Sequence, residues 1–141
     1  PGKEQSLLAI NEIVRSTGTR LTHRVDLRYC RQQRCTKRFY HFRMPGGPSA
    51  SVLPADIDNV CNRIETFADN AQDAAILLHC THGLNRTLLV LAALWMRRRP
   101  GATVGEAVEF VRAIRPPGIQ RPHIVAALNR WDETRKKDGT K

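Results

Sequence analysis

The sequence predicts an α/β fold in which a small central, mostly parallel sheet is flanked by helices. Three observations carry that prediction. Short strand-like stretches alternate with helical patterns in the first part of the chain, and helical patterns alone accumulate after residue 80. Residues 74–78 form an unbroken apolar run, the pattern of a central strand buried on both faces. The 141 residues show no internal repeat, linker or second domain, so 1–141 reads as one domain, large enough to bury a core without disulfides or metals.

The elements follow in order. Residues 5–15 read as a helix, with Leu7, Leu8, Ile10, Ile13 and Val14 on an apolar side and Gly18 beyond its end. A strand is expected at 24–29, where Val25 and Leu27 alternate. A polar, basic loop follows at 30–37, and a second strand at 38–42 is broken by Met44-Pro45-Gly46-Gly47-Pro48. Residues 54–68 form an amphipathic helix on which Ile57, Val60, Cys61, Ile64 and Phe67 share a face. After the apolar strand, residues 86–98 read as a helix with almost no polar side, hence a buried one. Thr103-Val104-Gly105-Glu106 is a capping box that opens a helix to about Ile114, stopped by Pro116-Pro117-Gly118. A last helix begins at Pro122 with Ile124, Val125, Leu128 and Trp131 at helical spacing, and the charged tail after Glu133 is expected to fray.

Charge narrows the partners. The net charge is +10, and arginine outnumbers lysine 18 to 5, which favours recognition of phosphate by paired N–H donors. Between Arg15 and Arg43 nine basic residues face Asp26 alone, whereas 56–73 holds five acids and only Arg63. That asymmetry suggests a polyanionic partner such as nucleic acid, beside the plainer reading of a basic soluble surface. No apolar run reaches membrane-spanning length, and no secretory signal is recognisable, so no membrane partner is expected. Cys30, Cys35, Cys61 and Cys80 lack a zinc-binding pattern and are not needed as a disulfide scaffold, which suits a reducing, intracellular setting. Packing is the expected role of Cys30, Cys35 and Cys61. No metal and no cofactor are expected.

The chemistry concentrates in His79-Cys80-Thr81-His82-Gly83-Leu84-Asn85-Arg86-Thr87. A transferring phosphoryl group spreads its charge over three equatorial oxygens and needs several aimed donors plus an in-line nucleophile. Backbone N–H groups from Thr81, His82, Gly83, Leu84, Asn85 and Arg86 converge at a helix start, where free N–H groups and the helix dipole bind anions. The same field favours the thiolate of Cys80. Gly83 permits a backbone conformation that a side chain would forbid. Arg86 suits bidentate binding of phosphoryl oxygens. Thr87 can donate its hydroxyl to the Cys80 sulfur, His79 can orient the loop, and Asn85 can brace it. Cys-x5-Arg alone is a weak signal in an arginine-rich chain. The preceding apolar strand and His79, the internal Gly83, and the following Thr87 and helix make it specific.

These residues resemble the signature loop of cysteine-dependent RNA 5′-triphosphatases: the metazoan capping enzyme's triphosphatase domain, the baculovirus RNA phosphatase, and the RNA/RNP-complex phosphatase classed with dual-specificity phosphatases. Arg115-Pro116-Pro117-Gly118-Ile119 and Val25-Asp26-Leu27 resemble two further family segments, and the resemblance covers roughly residues 7–131. It implies a protein-tyrosine-phosphatase-like fold, with Cys80 as nucleophile and Arg86 as the main phosphate ligand. It places Arg121 near the substrate phosphates, a position equally suited to an ordinary helix-start cation. Arg115 is either structural or an RNA contact. Leu88 departs from the family's glycine after Thr87, which puts the packing behind the loop and the level of activity in question. The family's segment before the first helix is missing and the chain starts at Pro1, so a fragment or a shortened member is expected. Lys136-Lys137-Asp138-Gly139 matches a guanylyltransferase nucleophile motif by coincidence.

Protein phosphatases of this kind protonate the leaving group with an aspartate on a mobile loop. The equivalent segment here, 43–49, holds no acid, while Asp56 and Asp58 sit at a helix start. A phosphoanhydride expels a phosphate that needs little protonation, so the acid-free loop favours hydrolysis at an RNA 5′ end. The expected partner is therefore a 5′-tri- or diphosphate RNA end, with a nuclear location implied by the resemblance. A dual-specificity protein phosphatase acting on a phosphoprotein, or a weakened phosphate- or RNA-binding module, are the alternatives.

Overall fold

The computed structural model describes residues 20–47, 51–81 and 85–138. The helix expected over 5–15 and the loop residues His82, Gly83 and Leu84 lie outside the described residues. Strands β1 (His23–Asp26), β2 (Phe39–His41) and β3 (Ile76–His79) build a sheet of order β2-β1-β3, and both neighbours of β1 run parallel to it. Helix α1 (Pro54–Asp69) connects β2 to β3, and α2 (Arg86–Arg97), α3 (Val104–Ile114) and α4 (Pro122–Lys137) follow. The α/β prediction with a small parallel sheet holds. Among the described helices none is long and apolar enough to cross a membrane.

One detail of the sheet differs from expectation. Among the described residues the strand with a partner on each side is β1, and all four residues of β3 are only half-buried. Val25 and Leu27 are fully buried, and so is Asp26 between them. A central strand in this sheet thus carries a buried charge, which a search for unbroken apolar runs passes over.

The strand order places the site. From β1 the chain moves to β2 on one side, then crosses to β3 on the other. The carboxyl ends of β1 and β3 therefore flank a topological switch point, where open parallel sheets leave a crevice. Residue pairing ends at Asp26–His79, and the Leu27 N–H donates to the His79 carbonyl at 2.8 Å. Cys80 leaves the sheet at that edge.

Helix ends are set by local chemistry. The Thr103 hydroxyl accepts from the Glu106 N–H at 3.1 Å, and the Glu106 carboxylate accepts from the Thr103 N–H at 2.8 Å. Pro122 occupies the first turn of α4, where its missing N–H costs nothing. Helix α4 continues to Lys137, past the fraying expected after Glu133. Asp132 pairs with Arg135 at 2.9 Å and Lys136 at 3.1 Å, and the Arg135 guanidinium lies 4.8 Å from the centre of the Trp131 ring. Trp131 is buried, so these contacts fasten the last turns to the core. In α2, Leu88 is buried with Leu89, Val90, Ala92, Ala93 and Met96. The residue that departs from the family's glycine is absorbed by the core, and the helix still begins at Arg86.

Candidate active site

Cys80 is buried at the carboxyl end of β3, and Arg86 opens α2. Three anchors fix the Arg86 guanidinium. Its Nη1 donates to the carbonyls of Leu27 (3.3 Å) and Met44 (3.1 Å), and its Nη2 donates to the Thr81 hydroxyl (3.1 Å). These bonds tie the arginine to the end of β1, to the segment after β2 and to the loop itself. They engage the Nη1 hydrogens and one Nη2 hydrogen. Among the described residues Nε makes no hydrogen bond, and the Nε/Nη2 edge is the side of the planar group suited to two phosphoryl oxygens.

Gly46 packs over the face of the group at Nε. A Cβ there would lie 3.0 Å from Arg86 Nε, 3.2 Å from Cζ and 3.3 Å from Cδ, so glycine lets the backbone approach the flat face of the side chain without pushing it aside. The Gly46 carbonyl accepts from His123 Nε2 of α4 at 2.9 Å. The acid-free loop is thereby held against the arginine by the last helix.

Asn85 braces the other side. Its Oδ1 accepts from the backbone N–H groups of Gln120 (3.1 Å) and Arg121 (3.2 Å). This fixes the backbone of Arg121 beside the cysteine loop, with its side chain exposed. Arg115 is exposed at the end of α3, and no contact among the described residues ties it to Cys80 or Arg86. The Thr87 hydroxyl is buried with no hydrogen-bond partner, so the expected bond to Cys80 is not made in this structure.

Beneath the loop lies a buried polar pair. The Arg28 side chain donates to both carboxylate oxygens of Asp26, with Nη2 to Oδ2 at 2.7 Å and Nε to Oδ1 at 3.0 Å. Burial opposes the charge on Asp26, but the hydrogen bonds from Arg28 outweigh it and hold the carboxyl below its usual range. His79 Nδ1 lies 3.9 Å from Asp26 Oδ1. Burial drives the His79 pKa down to about 4, against the pull of Asp26 and a hydrogen bond with the Cys80 backbone. At neutral pH His79 is an uncharged support for the strand end that carries Cys80.

The remaining acids near this face have structural work. The Asp56 carboxylate accepts from the Leu53 N–H at 3.1 Å, satisfying a free donor at the start of α1. Asp58 Oδ1 accepts from Trp131 Nε1 (2.8 Å) and from Arg97 (3.0 Å), tying α1 to α4 and α2. Neither belongs to the loop over Arg86. Of the other cysteines Cys61 fits the packing role, whereas Cys30 is half-buried and Cys35 exposed. Cys61 is buried and burial pushes its thiol up to about 12. Cys30 and Cys35 lie against His41, the Cys35 sulfur accepting from the His41 N–H at 3.4 Å.

Sequence reasoning named Cys80, Thr81, Asn85 and Arg86, and in the structure Arg86 bonds the hydroxyl of Thr81, the residue after Cys80. It missed Gly46 as the neighbour of the arginine, and it missed His123. The Pro-Gly-Gly segment signalled only a turn, and His123 had no signal in a single sequence.

Comparison with known proteins agrees with this geometry. Residues 10–134 match the family model for the catalytic domain of dual specificity phosphatases. An mRNA-capping enzyme of Caenorhabditis elegans is 32% identical over 99 residues, 67% of this chain but 15% of that protein. Among solved structures, human DUSP28 (22% identical) has a TM-score of 0.65 over 90% of this chain and 86% of that one. A mouse putative dual specificity phosphatase (21% identical) has a TM-score of 0.68 over 92% and 79%. These likenesses are to protein-tyrosine-phosphatase-like folds, and the chain belongs to the family of dual specificity phosphatase catalytic domains, a cysteine-based phosphatase.

Proposed function

We propose that the chain removes the 5′-terminal γ-phosphate of RNA through a cysteinyl-phosphate on Cys80. The thiolate attacks the γ-phosphorus, the S–P bond forms as the bond to the bridging oxygen breaks, and 5′-diphosphate RNA leaves with the bonding electrons. Water then attacks the phosphocysteine, the S–P bond breaks, and phosphate departs carrying the proton that water loses. The Nε/Nη2 edge of Arg86 holds two equatorial oxygens throughout. Thr87, whose hydroxyl is buried and unengaged, is a donor for the sulfur as it leaves.

The observation that carries the RNA reading is the employment of the acids. The described part of the loop over Arg86 holds none, Asp56 caps a helix, and Asp58 binds Trp131 and Arg97. A site without a general acid suits a phosphoanhydride, whose leaving group needs little protonation, better than a phosphoserine. The likeness to a capping enzyme supports the same reading.

Family membership favours a second reading, dephosphorylation of proteins. Phosphate release from γ-labelled triphosphate RNA and from a phosphotyrosine peptide, both with EDTA present, separates the two. Release from RNA that is lost in Cys80→Ser supports the proposal. Release from the peptide alone overturns it, and RNA binding without release would identify a binding module.

A further inference from the structure

Among the described residues Tyr29 is one of the few large apolar side chains left exposed, at 58%, and the Arg43 guanidinium lies over its ring, 4.5 Å from the centroid. Arg43 is itself exposed, and among the described residues no carboxylate pairs with it. Among the described residues the arginines that pair with acids, Arg28, Arg97 and Arg135, are buried or half-buried. Four other arginines lie over the rings of Phe39, Tyr40, Trp95 and Trp131, but those rings are buried or half-buried, so the exposed ring of Tyr29 sets this pair apart.

Its position is more telling. Tyr29 follows Leu27 by two residues, and Arg43 directly precedes Met44. Leu27 and Met44 are the residues whose carbonyls hold Arg86 Nη1. The stacked pair thus stands where the two segments anchoring the phosphate ligand emerge at the surface, with Arg31 and Arg34 exposed on the following loop. Two residues of extended chain span at most about 7 Å, so the pair sits a few ångströms outward from the arginine's anchors.

We propose that Tyr29 and Arg43 form a stacking platform for the first nucleobase of a 5′-phosphorylated RNA. The inference rests on the RNA reading of the site and names its nucleoside subsite. A phosphotyrosine ring is bonded to its own phosphate and must enter the pocket with it. The nucleoside of a 5′-triphosphate stands three phosphates away from the attacking sulfur, at the rim. An aromatic face backed by a guanidinium stacks any base, so the platform gives affinity without sequence preference. Arg43 adds a positive charge near the α-phosphate.

The test compares two substrates, one with a nucleoside and one without: triphosphate-ended RNA and inorganic tripolyphosphate. The expected result is that Tyr29→Ala lowers the ratio of their kcat/KM values about tenfold, through KM for RNA, while Tyr29→Phe keeps the wild-type ratio. An unchanged ratio in Tyr29→Ala, or an equal fall on both substrates, overturns the platform and leaves the RNA reading standing. A wild-type chain that releases phosphate from tripolyphosphate and not from RNA removes the functional reading, and the platform with it.

Discussion

His123 Nε2 donates to the Gly46 carbonyl at 2.9 Å, joining the last helix to the loop that covers Arg86. The two residues are 77 positions apart. Through this bond α4 fixes the segment whose bare Cα packs on the face of the arginine's guanidinium.

Replacing Gly46 by alanine should therefore act on catalysis rather than on folding. The added Cβ would press on Nε at 3.0 Å and Cζ at 3.2 Å, so either the guanidinium turns or the loop lifts. Misplacing a catalytic group by about 1 Å costs up to about a hundredfold in rate. Gly46→Ala should lose about tenfold to a hundredfold in kcat with little change in Tm; Gly47→Ala, where a Cβ meets nothing within 4 Å, is the matched control.

His123→Ala removes the donor and releases the loop. Steady-state kinetics should show a fall of about tenfold in kcat, the size of one oriented hydrogen bond. His123→Gln, which can still donate, should recover part of it. Equal losses in both variants would mean that the ring's packing, and not the hydrogen bond, is what matters.

Asp58 gives the opposite pattern. Asp58→Ala leaves Trp131 Nε1 without its acceptor in a buried setting and frees Arg97, at a cost of about 2 kcal/mol. Thermal unfolding should shift down while kcat of the folded protein holds. A loss of about a hundredfold or more in kcat would instead mark Asp58 as a general acid.

Stability should also fall in mild acid because of His79. Its folded pKa of about 4 lies below the ordinary value of 6.5, set first by burial. The unfolded chain therefore takes up this proton at higher pH than the folded chain does. The neutral ring's contribution is complete above pH 6.5 and is lost as the pH falls from there toward 4. Urea midpoints measured across that window should decline, and His79→Gln should flatten the decline. Asp26, held below its usual range by Arg28, adds its own loss only at lower pH.

The sequence was readable where chemistry and local pattern coincide. The step from strand to cysteine to helix start is local, so Cys80 and Arg86 could be paired from their spacing. The capping box at Thr103 and the proline at the start of α4 were legible for the same reason. What escaped was non-local. The centrality of β1 was hidden because its core strand carries Asp26, neutralised by Arg28 two residues on. The true extent of α4 depended on Arg135 folding over Trp131. Asp58 looked like a helix-start charge, and its bonds to Arg97 and Trp131 come from α2 and α4.

In the proposed mechanism a phosphoryl group is carried on Cys80 from the end of an RNA. Rapid acid quenching after mixing with γ-labelled triphosphate RNA, followed by peptide mass spectrometry, reads it directly. The expected result is label on the peptide containing Cys80, appearing before free phosphate and absent from Cys80→Ser. Phosphate released from RNA at the same rate by Cys80→Ser, with no label on the protein, would contradict the mechanism.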